Sequence, residues 1–232
     1  MNASDPVSLF PFGPEGGFER SIPAPFSGTV FLIHGLGADG HDFIPALPYF
    51  GLEGDRRLKF LLPNAPERPV GVNGGMRMRA WYDIRQPEVR TDPDWDGINE
   101  SARRLLEWVD FEKSRGVPGE KIFLAGFSQG GLVAINAALM SESPLGGVLA
   151  LSTYDPDPDS IPLRQKGMPP NRFLMAHGVE DPVIPLPLGK ATYKALNLAG
   201  WKGEWKEYDV GHSVTLSELS DIGRWFLGSG VP

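Results

Sequence analysis

At 232 residues, 41% of them hydrophobic, the chain can bury a sizeable core as one domain. A net charge of −7 argues against a nucleic-acid binder or a protein held on anionic lipid by charge. There is no Cys, which excludes disulfides, thiolate metal sites and a Cys nucleophile together, so any covalent catalyst must be Ser, Thr, Lys or a carboxylate.

Residues 1–27 are rich in Pro, Gly and Phe without a helical period, and they read as an N-terminal arm or edge hairpin laid against a single domain over 28–232. No basic segment leads into an apolar run there, and nowhere do the roughly 18 apolar residues of a membrane span follow one another. The expectation is a cytoplasmic protein without a stable membrane anchor.

Residues 29–33 (TVFLI) form a continuous apolar run, the pattern of a parallel strand buried on both faces, and run straight into the loop HGLGADG at 34–40. Residues 42–50 read as an imperfect helix limited by Pro45 and Pro48, and 58–62 as the next strand. The stretch ERPVGVNGGMRMRAWYD, 67–83, is predicted as a long loop too apolar for a plain surface connection. Its Met76, Met78 and Trp81 either wall a substrate pocket or plug the flank of the domain. Arg77 and Arg79 read better as solvated arginines than as an anion-selecting mouth. An amphipathic helix is expected over 98–115, with Ile98, Ala102, Leu105, Leu106 and Val109 on its apolar face.

Then comes a strand over 121–125, the tight G-x-S-x-G turn Gly126-Phe127-Ser128-Gln129-Gly130, and a buried helix over 131–140. Strand, sharp turn, helix is the setting in which a strained Ser presents its hydroxyl, and Gly at 126 and 130 avoids a clash with the neighbouring chain. Further strands are expected at 146–152, 172–176 and 204–208, with helices at 188–199 and 217–227. Strands alternating with helices through short loops give an α/β architecture: a mostly parallel sheet, helices on both faces, functional groups at the C-terminal ends of the strands.

A serine hydroxyl needs a base to take its proton as it attacks. Of the four histidines, His34 and His41 precede the Ser turn and His177 precedes the acid candidates. His212, in the turn after the last predicted strand, is left in the chain order Ser, acid, His. For the acid, Asp181 in the Pro-bounded segment DPVIP is favoured over Asp155, Asp157 and Asp159, whose Pro-spaced setting looks like a solvated loop. The backbone N–H groups of Leu36 and Gln129 are the candidate oxyanion donors. No H-E-x-x-H occurs and the histidines are dispersed, so neither a metal nor another cofactor is expected.

With these residues on the page, the chain resembles the phospholipase/carboxylesterase family of α/β-hydrolases, which includes acyl-protein thioesterases and bacterial carboxylesterases. The matching stretches are FLIHGLGADGHDF at 31–43, LPNAPERPV at 62–70, AWYDI at 80–84, IFLAGFSQGG at 122–131, PLGGVLALSTY at 144–154, HGVEDPVIP at 177–185 and YDVGH at 208–212. The GVNGG and LSTY forms look closer to the bacterial carboxylesterases. The resemblance implies an α/β-hydrolase fold, a triad at Ser128, Asp181 and His212, and oxyanion positions at Leu36 and Gln129. It implies a serine carboxylesterase acting on short- to medium-chain esters, with thioesters or lysophospholipids as alternatives. The partner is then a small-molecule ester or thioester, no nucleic acid is involved, and the subunit count stays open between monomer and homodimer. A hydrolase-fold binding module without turnover is the rival from another class.

Overall fold

Apolar runs buried on both sides need a sheet covered twice, and the chain builds one. The computed structural model describes residues 7–9, 15–20, 28–52, 58–88 and 90–228. In chain order the strands are β1 (Val7–Leu9), β2 (Gly17–Arg20), β3 (Gly28–Ile33), β4 (Leu58–Pro63), β5 (Glu67–Val70), β6 (Met76–Arg79), β7 (Ile122–Phe127), β8 (Gly147–Leu151), β9 (Arg172–Gly178) and β10 (Lys202–Tyr208). The helices are α1 (Trp95–Ser114), α2 (Gln129–Met140), α3 (Ile161–Arg164), α4 (Leu186–Leu198) and α5 (Leu216–Leu227).

Eight strands form the main sheet in the order β1-β2-β4-β3-β7-β8-β9-β10. The pairs from β4 to β10 are all parallel; β2 runs antiparallel to β4 and β1 antiparallel to β2. The mostly parallel α/β sheet expected from the alternating pattern is therefore present. Other parts of the 1–27 arm, and residues 229–232, lie outside the described residues.

Alternation along each strand divides the core. Phe31, Ile33, Leu124, Val148 and Met175 face one side, where α1, α2 and Leu196 of α4 cover them. Val30, Leu32, Ala125, Leu149 and Leu174 face the other, under α5 and the segment Gly40–Phe50. At the far edge β10 (KGEWKEY) is only partly covered, and its lysines and glutamates suit an unpaired rim.

Two predicted elements differ from what forms. Residues 40–50 make a long 3₁₀ helix, not an α-helix: Pro45 and Pro48 have no N–H to donate, and the Asp39 side chain caps its start by accepting from the His41 N–H at 2.8 Å. The 67–83 loop contains the antiparallel ribbon β5–β6, closed by a 3₁₀ turn at Gly71–Asn73. ERPV and MRMR lack the buried apolar alternation by which strands of the main sheet are read, because the ribbon stands apart from that sheet. Among the described residues no helix is long and apolar enough to cross a membrane.

Candidate active site

Strand β7 ends at Phe127 and α2 begins at Gln129, so Ser128 must turn the chain through a single residue. It does so at φ 54° and ψ −119°, a strained conformation for a residue with a side chain, at a cost on the order of 1–3 kcal/mol. The turn is fixed from both sides, by the Ser128 N–H donating to Leu151 O at 2.8 Å and the Gly131 N–H donating to Ser128 O at 3.0 Å. A Cβ at residue 130 would lie 2.1 Å from Ile33 O, so only Gly lets the elbow seat against β3.

The acid and the base come from the ends of β9 and β10. Past the strands, the Val179 N–H donates to Tyr208 O at 2.9 Å and the Glu180 N–H to Val210 O at 3.2 Å, which draws the two turns together. Gly178 permits this contact, since a Cβ there would sit 2.2 Å from Gly211 O. His212 thereby stands between the other two side chains: Nε2 is 2.9 Å from Ser128 Oγ and Nδ1 is 2.8 Å from Asp181 Oδ2. The other carboxylate oxygen, Oδ1, accepts from the Val183 and Ile184 N–H groups at 2.9 Å each, so the carboxylate cannot rotate away. The Asp181 side chain is fully buried, whereas His212 keeps 17% of its side chain exposed toward the cavity. A carboxylate at Nδ1 holds the ring proton there and leaves the Nε2 lone pair for the Ser128 hydroxyl.

Other histidines sit elsewhere. His34 is fully buried, and burial lowers its pKa to about 4; the neutral ring donates from Nδ1 to Gly35 O at 2.7 Å and accepts at Nε2 from the Ala65 N–H at 2.9 Å. His41 is exposed beside Phe18. His177 lies behind the acid, where burial lowers its pKa and Nε2 donates to Ile184 O at 2.9 Å. Of the runner-up acids, Asp155 is buried and used by Arg164, whose guanidinium donates to Oδ2 at 2.6 Å.

The loop carrying Leu36 lies over the elbow: a Cβ on Gly35 would fall 3.5 Å from Ser128 Cβ. Among the described residues no backbone acceptor engages the Leu36 N–H, and the Gln129 N–H belongs to the first turn of α2, whose donors have no intrahelical partner. Both are available to a developing oxyanion beside Ser128, and the positive end of the helix dipole adds to the second.

A cavity of about 590 Å³ opens on Ser128 and His212. Leu36, Phe43, Phe50, Phe127, Val214 and Leu219 line it, so it reaches from the elbow down between the sheet, the 40–50 segment and α5. The sequence reading missed this wall. Phe43, Ala46 and Phe50 recur at spacings of three and four in FIPALPYF, a period that the reading of 42–50 as an imperfect helix does not use.

Met76, Met78 and Trp81, for which the sequence allowed either a pocket wall or a plug of the flank, do not line the cavity. Met76 is 64% exposed on the β5–β6 ribbon, Met78 sits on the same ribbon beside Gly37, and Trp81 is 1% exposed in the core, edge-on to Trp108. The ribbon is a sheet of its own, tied to the Leu36 loop by the Gly37 N–H donating to Arg79 O at 2.8 Å. Arg77 donates to Glu67 O within the ribbon and Arg79 to Ala65 O just before it, at 2.8 Å each. No three His, Asp or Glu side chains among the described residues are grouped as a metal site requires.

Comparison with known proteins bears on the family and the fold. The family model described as Phospholipase/Carboxylesterase matches residues 21–227. Acyl-protein thioesterase 1 of Gibberella zeae is 36% identical over 219 residues, covering 88% of this chain and 91% of that protein. A probable carboxylesterase of Oryza sativa subsp. japonica is 32% identical over 225 residues, covering 91% of this chain and 84% of its own length. The crystal structure of Arabidopsis thaliana SOBER1 superposes with a TM-score of 0.81 at 30% identity, covering 87% of this chain and 98% of that one.

Proposed function

The chain belongs to the phospholipase/carboxylesterase family of serine hydrolases, and on that premise we propose that it is a carboxylesterase cleaving short- to medium-chain esters through an acyl-enzyme. One observation carries the reading: a hydroxyl, an imidazole and a carboxylate in a single hydrogen-bonded row, 2.9 and 2.8 Å apart, at the mouth of an apolar cavity. Ser128 Oγ attacks the ester carbonyl while His212 Nε2 takes its proton. The carbonyl oxygen gains negative charge between the Leu36 and Gln129 N–H groups, each such donor lowering the barrier by about 3 kcal/mol. The imidazolium, stabilised by Asp181, then gives its proton to the leaving alcohol, and the acyl group stays on Ser128. Water activated by His212 releases the acid and restores the hydroxyl.

The cavity supports an acyl chain in the proposed substrate because its wall is mostly aliphatic and aromatic and it has the size usual for small-molecule sites. Thioesters are the second reading. It is favoured by the 36% identity to a protein named as an acyl-protein thioesterase, and the same row of groups serves a thiolate leaving group equally.

Labelling with a fluorophosphonate, followed by peptide mass spectrometry, is expected to place the adduct on Ser128. Ser128→Ala is expected to lose turnover by about a millionfold while keeping its fold. An adduct elsewhere, or an active Ser128→Ala protein, refutes the assignment. A series of p-nitrophenyl esters beside matched thioesters separates the two substrate readings, and an optimum beyond about ten carbons would remove the short-chain preference.

A further inference from the structure

The motif AWYDI at 80–84 has no place in the chemistry just described, and its tryptophan does not line the cavity. Its contacts point elsewhere. The Trp81 indole N–H donates to His34 O at 2.9 Å, at the base of the loop that carries Leu36. Two residues earlier, Arg79 O accepts from the Gly37 N–H at 2.8 Å, on the other side of Leu36. The same stretch also grips the elbow. Gln129 Oε1 accepts from the Trp81 N–H at 2.8 Å, and Gln129 Nε2 donates to Tyr82 O at 2.7 Å. Through Arg79, Trp81 and Tyr82 this stretch is thus bonded to both the Leu36 loop and the elbow, which supply the candidate oxyanion donors.

We propose that Trp81 and the Gln129 side chain are positioning residues that set the separation of the Leu36 and Gln129 N–H groups. The inference rests on the hydrolase reading above. Oxyanion donors work only within a few tenths of an ångström of their optimum, because the stabilisation comes from dipoles already aimed where charge develops. Leu36 sits in the loop beyond β3 and Gln129 in the first turn of α2 beyond β7, both past the last ladder pair of those strands, Ile33 with Gly126. Sheet pairing alone therefore does not fix the spacing of the two donors. The tie through residues 79–82 does, and it is itself immobile: Trp81 is 1% and Gln129 2% exposed, the Ser101 hydroxyl donates to Trp81 O, and the Ala80 N–H donates to Pro66 O at 3.0 Å. Gln129 then acts twice, its main-chain N–H facing the reacting oxygen and its amide anchoring that N–H to the neighbouring loop.

Two variants test this, with p-nitrophenyl butyrate as substrate and phenylboronic acid as a probe whose tetrahedral adduct on Ser128 stands in for the transition state. Trp81→Phe keeps a ring in the core and deletes one donor; Gln129→Leu keeps the volume and deletes both side-chain bonds. For each folded variant kcat is expected to fall about tenfold with KM within twofold of wild type. The boronic acid Ki is expected to weaken by the same factor as kcat/KM, the signature of an interaction felt in the transition state alone. A role in packing only would lower thermal stability without moving kcat and Ki together. If Gln129→Leu does not fold, Trp81→Phe decides by the same criteria. Unchanged kcat and Ki, or a loss confined to KM, overturns the brace while leaving an active wild-type enzyme. Wild-type protein that neither hydrolyses the ester nor binds the boronic acid overturns the hydrolase reading, and the brace with it.

Discussion

Two buried groups near the site titrate against each other, and the sign of each can be worked out from its surroundings. Burial lowers His34 to about 4 from 6.5, so between those values the unfolded chain binds a proton that the native ring refuses, and stability falls as pH drops through that window. Glu218 runs the other way. Burial raises its carboxyl to about 7 from 4.5, with only the Thr215 N–H reaching Oε2 at 3.4 Å and Oε1 enclosed without a partner among the described residues. Its native state therefore holds a proton that the unfolded chain gives up, and stability is lost as pH rises from 4.5 through about 7. Each shift is on the order of 3 kcal/mol when complete, so across pH 4.5–6.5 the two largely cancel. Glu218→Gln removes one side of the balance while keeping an acceptor for the capping box at Thr215. The variant is expected to match wild type near pH 4.5 and to gain stability progressively to pH 7 and above. Its own stability should then climb with pH between 4 and 6.5, as His34 requires. Thermal melts at half-unit pH steps measure both; a gain that is the same at every pH would show that Glu218 is not the titrating group.

At the scale of elements, the ends of β9 and β10 matter more than their middles, because the candidate acid and base hang from turns that touch through Gly178. Gly178→Ala would press a methyl group to 2.2 Å from Gly211 O and 2.3 Å from Val210 O, and neither backbone can yield without moving Asp181 or His212. The expected result is a loss of about 1–3 kcal/mol of stability together with a fall in kcat, as the 2.8 Å bond between Asp181 and His212 lengthens. Urea denaturation and ester kinetics on one preparation would show both, and stability lost with kcat intact would mean that the turns adjust independently of the site. The residues that these turns bring together were legible in the sequence. Ser128, Asp181 and His212 lie at strand ends in a fixed chain order, and a buried parallel strand announces itself as an unbroken apolar run such as TVFLI. The cavity wall was not legible, because it depends on Phe43 and Phe50 meeting Leu219 of α5 on the same face of the sheet, a pairing no local period encodes. Trp81 stayed open between two readings for a related reason: an apolar side chain in a loop signals burial, but whether it faces a ligand or a neighbouring loop is decided by its partner, here His34 O.

Over the whole molecule, the two cores do different work. The cavity is cut into the side covered by α5 and the 40–50 segment, while the opposite side buries a large apolar cluster under α1 and α2. At the foot of that opposite side, Lys59 of β4 lies 2.8 Å from Glu112 of α1, both side chains almost wholly buried, with the Thr29 hydroxyl donating to the same carboxylate at 3.1 Å. Thr29 and Lys59 stand at the N-terminal ends of parallel strands whose C-terminal ends approach Ser128, so four or five residues of strand, roughly 15 Å, separate the pair from the chemistry. Removing Lys59 leaves the buried Glu112 carboxylate to the Thr29 hydroxyl and the half-exposed Arg115 guanidinium at 3.7 Å, a loss of up to about 3–5 kcal/mol, whereas replacing both Lys59 and Glu112 by apolar groups of similar size costs little. Lys59→Met is therefore expected to lower the melting temperature sharply, and Lys59→Met with Glu112→Leu to recover most of the loss. At 25 °C kcat and KM should hold in every variant that remains folded, because the strands between are fixed by ladder bonds on both sides. A double variant no more stable than Lys59→Met would mean that the ion pair contributes net stability, and a change in KM would tie the foot of the sheet to the cavity above it.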